Sequence, residues 1–457
     1  MPCYNYQVLM RDLQYTRRDI LQSSVGLAGL TLPSFLQARS LGTPSLQRAK
    51  SCIVVYCWGG ISHYESFDPK PDAPSEIRGE FGHIPTNVPG IRYCEHLPLL
   101  AKQADKLALI RSVHHDQGGH QQGMYISLTG HKLQGGNPAK SRNNRPSITA
   151  LVSHAQDPSL GVPSAIRLPH SMYDNGRLMA GEYGGFLGAK FDPMLMKTPA
   201  GKPFGGVSRY TGRELNLKPT LKEVRTRMRL SLLQQIDNPR AHEEQYDQLD
   251  HYRRMALDML AGSGIQDAYN LEKEDPRIRA MYGNQMGGQG MLLARRMVEA
   301  GVPVVQVCAG AGDLAGGNGD NWDTHRDHFP KMKNRLLPVF DRSFSALLQD
   351  LHQRGMLDET LVVLLTDFGR TPKVNKNGGR DHYPAVYTMA LAGGGIAGGQ
   401  TYGSSDPKGM EPHTNACTPA DVHATVYKAL GIDYKAEIHD TIGRPFRICD
   451  GTPLPLA

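Results

Sequence analysis

Residues 361–384 read LVVLLTDFGRTPKVNKNGGRDHYP, an unbroken apolar run that ends on a carboxylate, Asp367, and then crosses a Gly-, Lys- and Asn-rich loop to Asp381-His382. A continuous apolar run bounded by turn residues marks a strand buried on both faces, the kind found in mostly parallel sheets covered by helices. Four more runs have this character: Cys52–Trp58, Leu107–Val113, Val302–Val307 and Ala385–Ala392. Between them lie helical patterns at Arg145–His154, Gly287–Ala300, Phe329–Gly355 and Pro419–Leu430. This alternation predicts an α/β fold with a mostly parallel central sheet flanked by helices. The long charged segment 221–274 carries no strand signal and reads as a helical insertion, helical at least over Leu221–Ala261.

In open α/β sheets, sites form beyond the C-terminal ends of the strands, so the residues just after each run matter most. The first run is followed by Gly59-Gly60-Ile61-Ser62-His63-Tyr64-Glu65 and then Asp68 and Lys70. The second leads through His114, His115 and Asp116 to His120, which opens a helix closing at Gly130. A Gly-rich loop after Val302–Val307 reaches Asn321-Trp322-Asp323-Thr324-His325, and the 361–365 run delivers Asp367 and later His382. Asp323 and His325, two apart, share one side of an extended segment, which suits a metal taking carboxylate oxygen and imidazole nitrogen together. Asp367 and His382 complete a ligand set whose mixed donors suit a divalent zinc, manganese or iron ion better than calcium.

Three other patterns compete. Gly60-Ile61-Ser62-His63-Tyr64 approximates a nucleophile elbow, and Asp367 with His382 or His423 supplies a Ser, Asp, His order, so a serine hydrolase using Ser62 is an alternative. Against it, prolines at 69, 71 and 74 oppose the helix that an elbow must enter. Gly393-Gly394-Gly395-Ile396-Ala397-Gly398 fits G-x-G-x-x-G but runs on into a turn rather than a helix, so it offers no phosphate-binding N-terminus. Cys417-Thr418-Pro419-Ala420-Asp421 has Asp where a formylglycine-type site requires Arg.

The 457 residues, 39% hydrophobic with a net charge of +7, form no basic stripe interleaved with aromatics, which argues against nucleic acid as a partner. Seven cysteines without a CxxC pair exclude a zinc ribbon and a disulfide scaffold. Near the start, Thr16-Arg17-Arg18-Asp19-Ile20-Leu21 precedes a moderately apolar stretch, the form of a twin-arginine export signal, so residues 1–45 are expected to be a leader. It is either cleaved near Ala38 and Ser40 or kept as an anchor, and no later segment reaches the ~20 apolar residues of a membrane span. The expected partner of the leader is the twin-arginine translocase, and the expected location is periplasmic or extracellular.

Taken together, the leader, GGISHYESFDPKP, LGAKFDPM, MLLARRMVEAGVPVVQV, NWDTHRDHF, TDFGRTPKVN, GRDHYP and TPADVHATVYKALGID resemble an exported bacterial family, domain of unknown function 1501, frequent in planctomycetes. The resemblance runs from about Thr16 to the C-terminus, and that family is similar to sulfatases and alkaline phosphatases. It implies a sulfatase-like domain over 46–457 that hydrolyses sulfate or phosphate esters, including sulfated or phosphorylated saccharides, with a metal at the sheet edge. Spacing from Gly130 sets His120 where sulfatases carry their nucleophile, so the resemblance gives it a catalytic, basic or ligating role. Asp367 matches the Asp of the superfamily's Asp-His-Gly motif, with Phe368 in place of His. Glu65 or Asp68 substitutes for the missing acid at the first strand tip, and Arg370 and Lys70 are expected to hold the anionic ester. The alternative implied by the substituted His120 and Phe368 positions is a non-catalytic exported binding protein.

Overall fold

The computed structural model describes residues 49–136, 138–156, 162–196, 263–310 and 321–456. The leader expected at 1–45 and the part of the insertion over 221–262 lie outside the described residues; the end of that insertion, Ser263–Tyr269, is helical. Among the described residues the centre is an eight-stranded sheet. Its strands are β1 (Ser51–Cys57), β2 (Leu107–Val113), β3 (Ala165–Leu168), β4 (Met194–Leu195), β5 (Val304–Cys308), β6 (Thr360–Thr366), β7 (Tyr387–Ala392) and β8 (Gln400–Tyr402), in the order β8-β2-β7-β6-β1-β5-β3-β4. β1 is paired in parallel with both β5 and β6, and β2, β3, β4 and β8 run the same way.

The exception is β7, antiparallel to β6 and β2. Its reversal follows from the loop that opens the sequence: Gly369–Arg370 pairs antiparallel with His382–Tyr383, so the chain doubles back on itself and enters β7 without a crossover helix. The same hairpin returns His382 to the edge where β6 ended. β5 starts two residues later than the apolar run does, since Pro303 has no N–H for the ladder.

Alternate strand residues face two separate cores, as period 2 requires. On one face Ile53, Val55, Val305, Val307, Val362 and Leu364 pack with α3 (Met286–Glu299) and α4 (Leu337–Gln353). On the other Val54, Tyr56, Val304, Val363 and Leu365 pack with α1 (His120–Thr129), α2 (Ile148–Ala155) and α5 (Pro419–Ala429). The helix expected over Phe329–Gly355 runs without interruption from His328 to Gln353, with a π-helical turn at Met332–Leu336 between His328–Lys331 and α4. Pro338, with no N–H to give back to Asn334, lies just past that π turn. No helix among the described residues is long and apolar enough to cross a membrane.

Candidate metal centre

Four segments meet at the C-terminal edge of the sheet. Trp58 and Gly59 follow β1, His120 opens α1, Asp323 and His325 lie in the segment before His328–Lys331, and Asp367 and His382 flank the hairpin after β6. Two glycines permit the approach. Gly59 has φ +103 and a Cβ there would fall 2.5 Å from the Asp323 amide; a Cβ on Gly379 would fall 1.9 Å from the His325 carbonyl oxygen.

The imidazoles share one arrangement. His120 Nδ1 is 2.7 Å from Asp367 Oδ2, His325 Nδ1 is 2.6 Å from Asp381 Oδ1, and His382 Nδ1 is 2.7 Å from the Gly118 carbonyl oxygen. A carbonyl or carboxylate only accepts, so each Nδ1 carries a proton, and each Nε2 is the nitrogen that faces the Asp323 carboxylate, where a metal ion would take the place of a proton. All three Nε2 atoms converge on Asp323. His120 Nε2 is 3.4 Å from Asp323 Oδ2, while His325 Nε2 and His382 Nε2 are 3.0 and 3.2 Å from Oδ1 and 2.9 Å from each other.

Those separations test whether an ion fits. Bonds of ~2.0–2.1 Å in a tetrahedral zinc site put neighbouring donor atoms about 3.3 Å apart. The four separations, 2.9–3.4 Å, lie around that value, and one ligand atom each from His120, Asp323 and His382 lie within 4.8 Å of one another. His120, Asp323 and His382 form a group able to hold a metal ion, and His120 Nε2 is buried with no hydrogen-bond partner. The donor set fits a divalent cation that accepts nitrogen, with the outer ring nitrogens tied to acceptors as in metal-binding histidines.

Electrostatics agree. Burial works against charge on His120, but the neighbouring carboxylates of Asp323 and Asp367 outweigh it and lift the imidazole to about 9. Burial alone would push Asp323 up; the three imidazoles and Arg370 hold it far below the usual carboxylate range. His325 is raised by Asp323, whereas burial lowers His382. The pocket therefore favours positive charge at the point where the ring nitrogens meet. Trp58 stacks on His120 with centroids 5.2 Å apart and planes at 20°, and Phe368 packs against both His120 and His382.

Of the residues singled out in the sequence, His120, Asp323, His325, Asp367 and His382 are brought together. Asp367 does not face the convergence point. It is wholly buried, with Oδ1 taken by the Tyr56 hydroxyl at 2.7 Å, Oδ2 by His120, and the Gly59 amide 3.3 Å from both. It orients a ring rather than offering a ligand atom. Arg370, expected to grip an ester, is also fully buried: its guanidinium donates to the carbonyls of Gly59, Gly60 and Arg380 and to Asp323 Oδ1 at 2.8 Å. Lys70 is occupied by Asp68 at 3.0 Å, and Asp68 also accepts from Ser405.

The serine-hydrolase alternative fails on geometry. Ser62 is buried and donates to Glu65 Oε2 at 2.5 Å, with no imidazole bonded to it among the described residues. His63 is committed to the Gly409 carbonyl, and burial depresses it to about 4. Glu65 is enclosed by Arg380 and His328, so it is no substitute ligand at the strand tip. His423 lies between α5 and α1, its Nε2 bonded to the Ser127 carbonyl at 2.8 Å. Tyr56, which donates to Asp367, carries no signal of that role in the sequence. Asp381 is adjacent to His382 and was in view, but nothing in the sequence shows that it serves His325.

Sheet and cluster together define an α/β protein with a candidate divalent-metal centre at the C-terminal edge of its strands. The chain belongs to DUF1501, described as a protein of unknown function, whose model matches residues 49–455. No curated protein matches the sequence. Among solved structures it is similar to the lipoteichoic acid synthase LtaP from Listeria monocytogenes (11% identity, 86% of this chain and 75% of that one, TM-score 0.39). It is also similar to the PsFucS1 sulfatase from Pseudoalteromonas sp. (12%, 90% and 72%, TM-score 0.37). A third is a TAB5 alkaline phosphatase variant with Mg bound in its M3 site (10%, 84% and 99%, TM-score 0.36).

Proposed function

We propose that this protein is an exported, metal-dependent hydrolase of sulfate or phosphate esters. The observation that carries the reading is the convergence of three imidazole Nε2 atoms on one carboxylate, each ring fixed from behind by an acceptor. His120, His325, His382 and Asp323 would hold the ion, zinc, manganese or iron in preference to calcium because nitrogen donors predominate. A bound divalent ion supplies Lewis acidity toward the ester oxygen.

The chain's own residues do the rest. Asp367 and Asp381 fix the tautomer and direction of His120 and His325, and the Gly118 carbonyl does so for His382. Arg370 offsets the buried charge of Asp323 and ties it to the turn at Gly59-Gly60. Trp58 and Phe368 cover the His120 ring and limit water around it. Sulfate or phosphate esters, carried on a saccharide, are the substrate class supported by the motif resemblance. Export, by the twin-arginine translocase to the periplasm or beyond, is supported by Arg17-Arg18 and the apolar stretch that follows.

The test is a screen of aryl and saccharide sulfate and phosphate esters with zinc-, manganese- and iron-loaded protein, chelated protein and a His382→Ala variant. Turnover by loaded protein alone supports the hydrolase. Full metal loading with no turnover of any ester favours the non-catalytic binding protein.

A further inference from the structure

We propose that Glu65 is the common anchor of both ligand-bearing loops, acting on one through His328 and Thr324 and on the other through Arg380, and so tunes the centre's affinity for its ion. This rests on the reading of the cluster as a metal centre. Glu65 Oε2 accepts from His328 Nε2 at 2.9 Å, and His328 Nδ1 lies 2.7 Å from the Thr324 hydroxyl. Thr324 is the residue between Asp323 and His325, and its hydroxyl turns to His328 while both neighbours reach the cluster. Glu65 Oε1 accepts from Arg380 at 2.7 and 3.2 Å, and Arg380 directly precedes Asp381-His382.

The protons can be assigned. Glu65, also bonded by Ser62, has donors on every side and only accepts, so His328 Nε2 carries a proton. Burial keeps the ring neutral, leaving Nδ1 to accept from Thr324, whose hydroxyl rotor is thereby fixed. His328 is 0% exposed, and Glu65 and Thr324 are 1% each. Backbone bonds from Arg380 N to the Thr324 carbonyl and from His328 N to the Gly378 carbonyl close the two loops on each other. A buried ion pair is a poor way to add stability, and its better attested use is to fix one arrangement among alternatives. The Gly-Ile-Ser-His-Tyr-Glu stretch after β1 therefore reads as the seat of this anchor.

The test is zinc affinity of the full chain, measured by competition with a chromophoric chelator, for the parent, Thr324→Val and Thr324→Ser, with the melting temperature of each metal-free form. Thr324→Val keeps the shape and removes the hydroxyl; about 10–100-fold weaker zinc binding is expected, the usual effect of losing an outer partner. Thr324→Ser is expected to match the parent, and the metal-free melting temperatures to stay close together. Thr324→Val binding zinc as tightly as the parent would overturn the proposal, and Thr324→Ala decides in the same way should the valine variant not fold. A parent that binds no zinc, manganese or iron overturns the metal centre itself, a result distinct from equal binding by parent and variant.

Discussion

Asp367 Oδ2 sits 2.7 Å from His120 Nδ1, so the carboxylate that ends β6 faces the back of a ring whose other nitrogen looks toward Asp323. Asp367→Asn keeps the shape and removes the charge behind the imidazole. Zinc affinity is expected to fall about 10–100-fold, measured by competition titration.

Arg370 is fully buried and bridges four acceptors, which a lysine ammonium on a flexible stem cannot do. Arg370→Lys is expected to cost about 3–5 kcal/mol of unfolding free energy in denaturant titrations, because it leaves buried carbonyls and Asp323 without their partner. A raised KM at unchanged stability would instead return Arg370 to the ester-binding role.

Gly379→Ala sets a methyl group against the His325 carbonyl, so the His325 segment must move. The expected result is loss of about 1–3 kcal/mol of stability together with weaker metal binding. Calorimetry and metal titration on the same variant check both.

His423 is buried and neutral, its pKa lowered to about 4 by burial. A histidine depressed in the folded state adds stability that is complete above the unfolded value near 6.5 and is lost as pH falls toward 4. His423→Gln, which retains a donor for the Ser127 carbonyl, is expected to flatten the stability profile between about pH 6.5 and 4, by up to ~3 kcal/mol across the window. Urea midpoints at half-unit pH steps read this directly.

Much of the site was legible because β1, β5 and β6 are largely apolar and lead into loops at one edge of the sheet, as does β2 despite Arg111 and Ser112. That pattern alone brings His120, Asp323, His325, Asp367 and His382 to one edge. The division of labour was not legible, since ligand and orienting carboxylate differ only in which ring nitrogen they meet. Arg370 and Lys70 looked like anion grips because sequence shows a charge and not its burial. Short strands such as Ala165–Leu168 and Met194–Leu195 leave too little length for a periodic signal, and β7 reads as another buried strand whichever way it runs.

Metal content bears most directly on the centre. The protein, purified without affinity-tag metal, reconstituted with zinc and freed of excess, would be analysed by elemental mass spectrometry beside Asp323→Ala. About one ion per chain in the parent and little in the variant is the expected result. Equal content in both proteins, or none in either after reconstitution with zinc, manganese or iron, would contradict it.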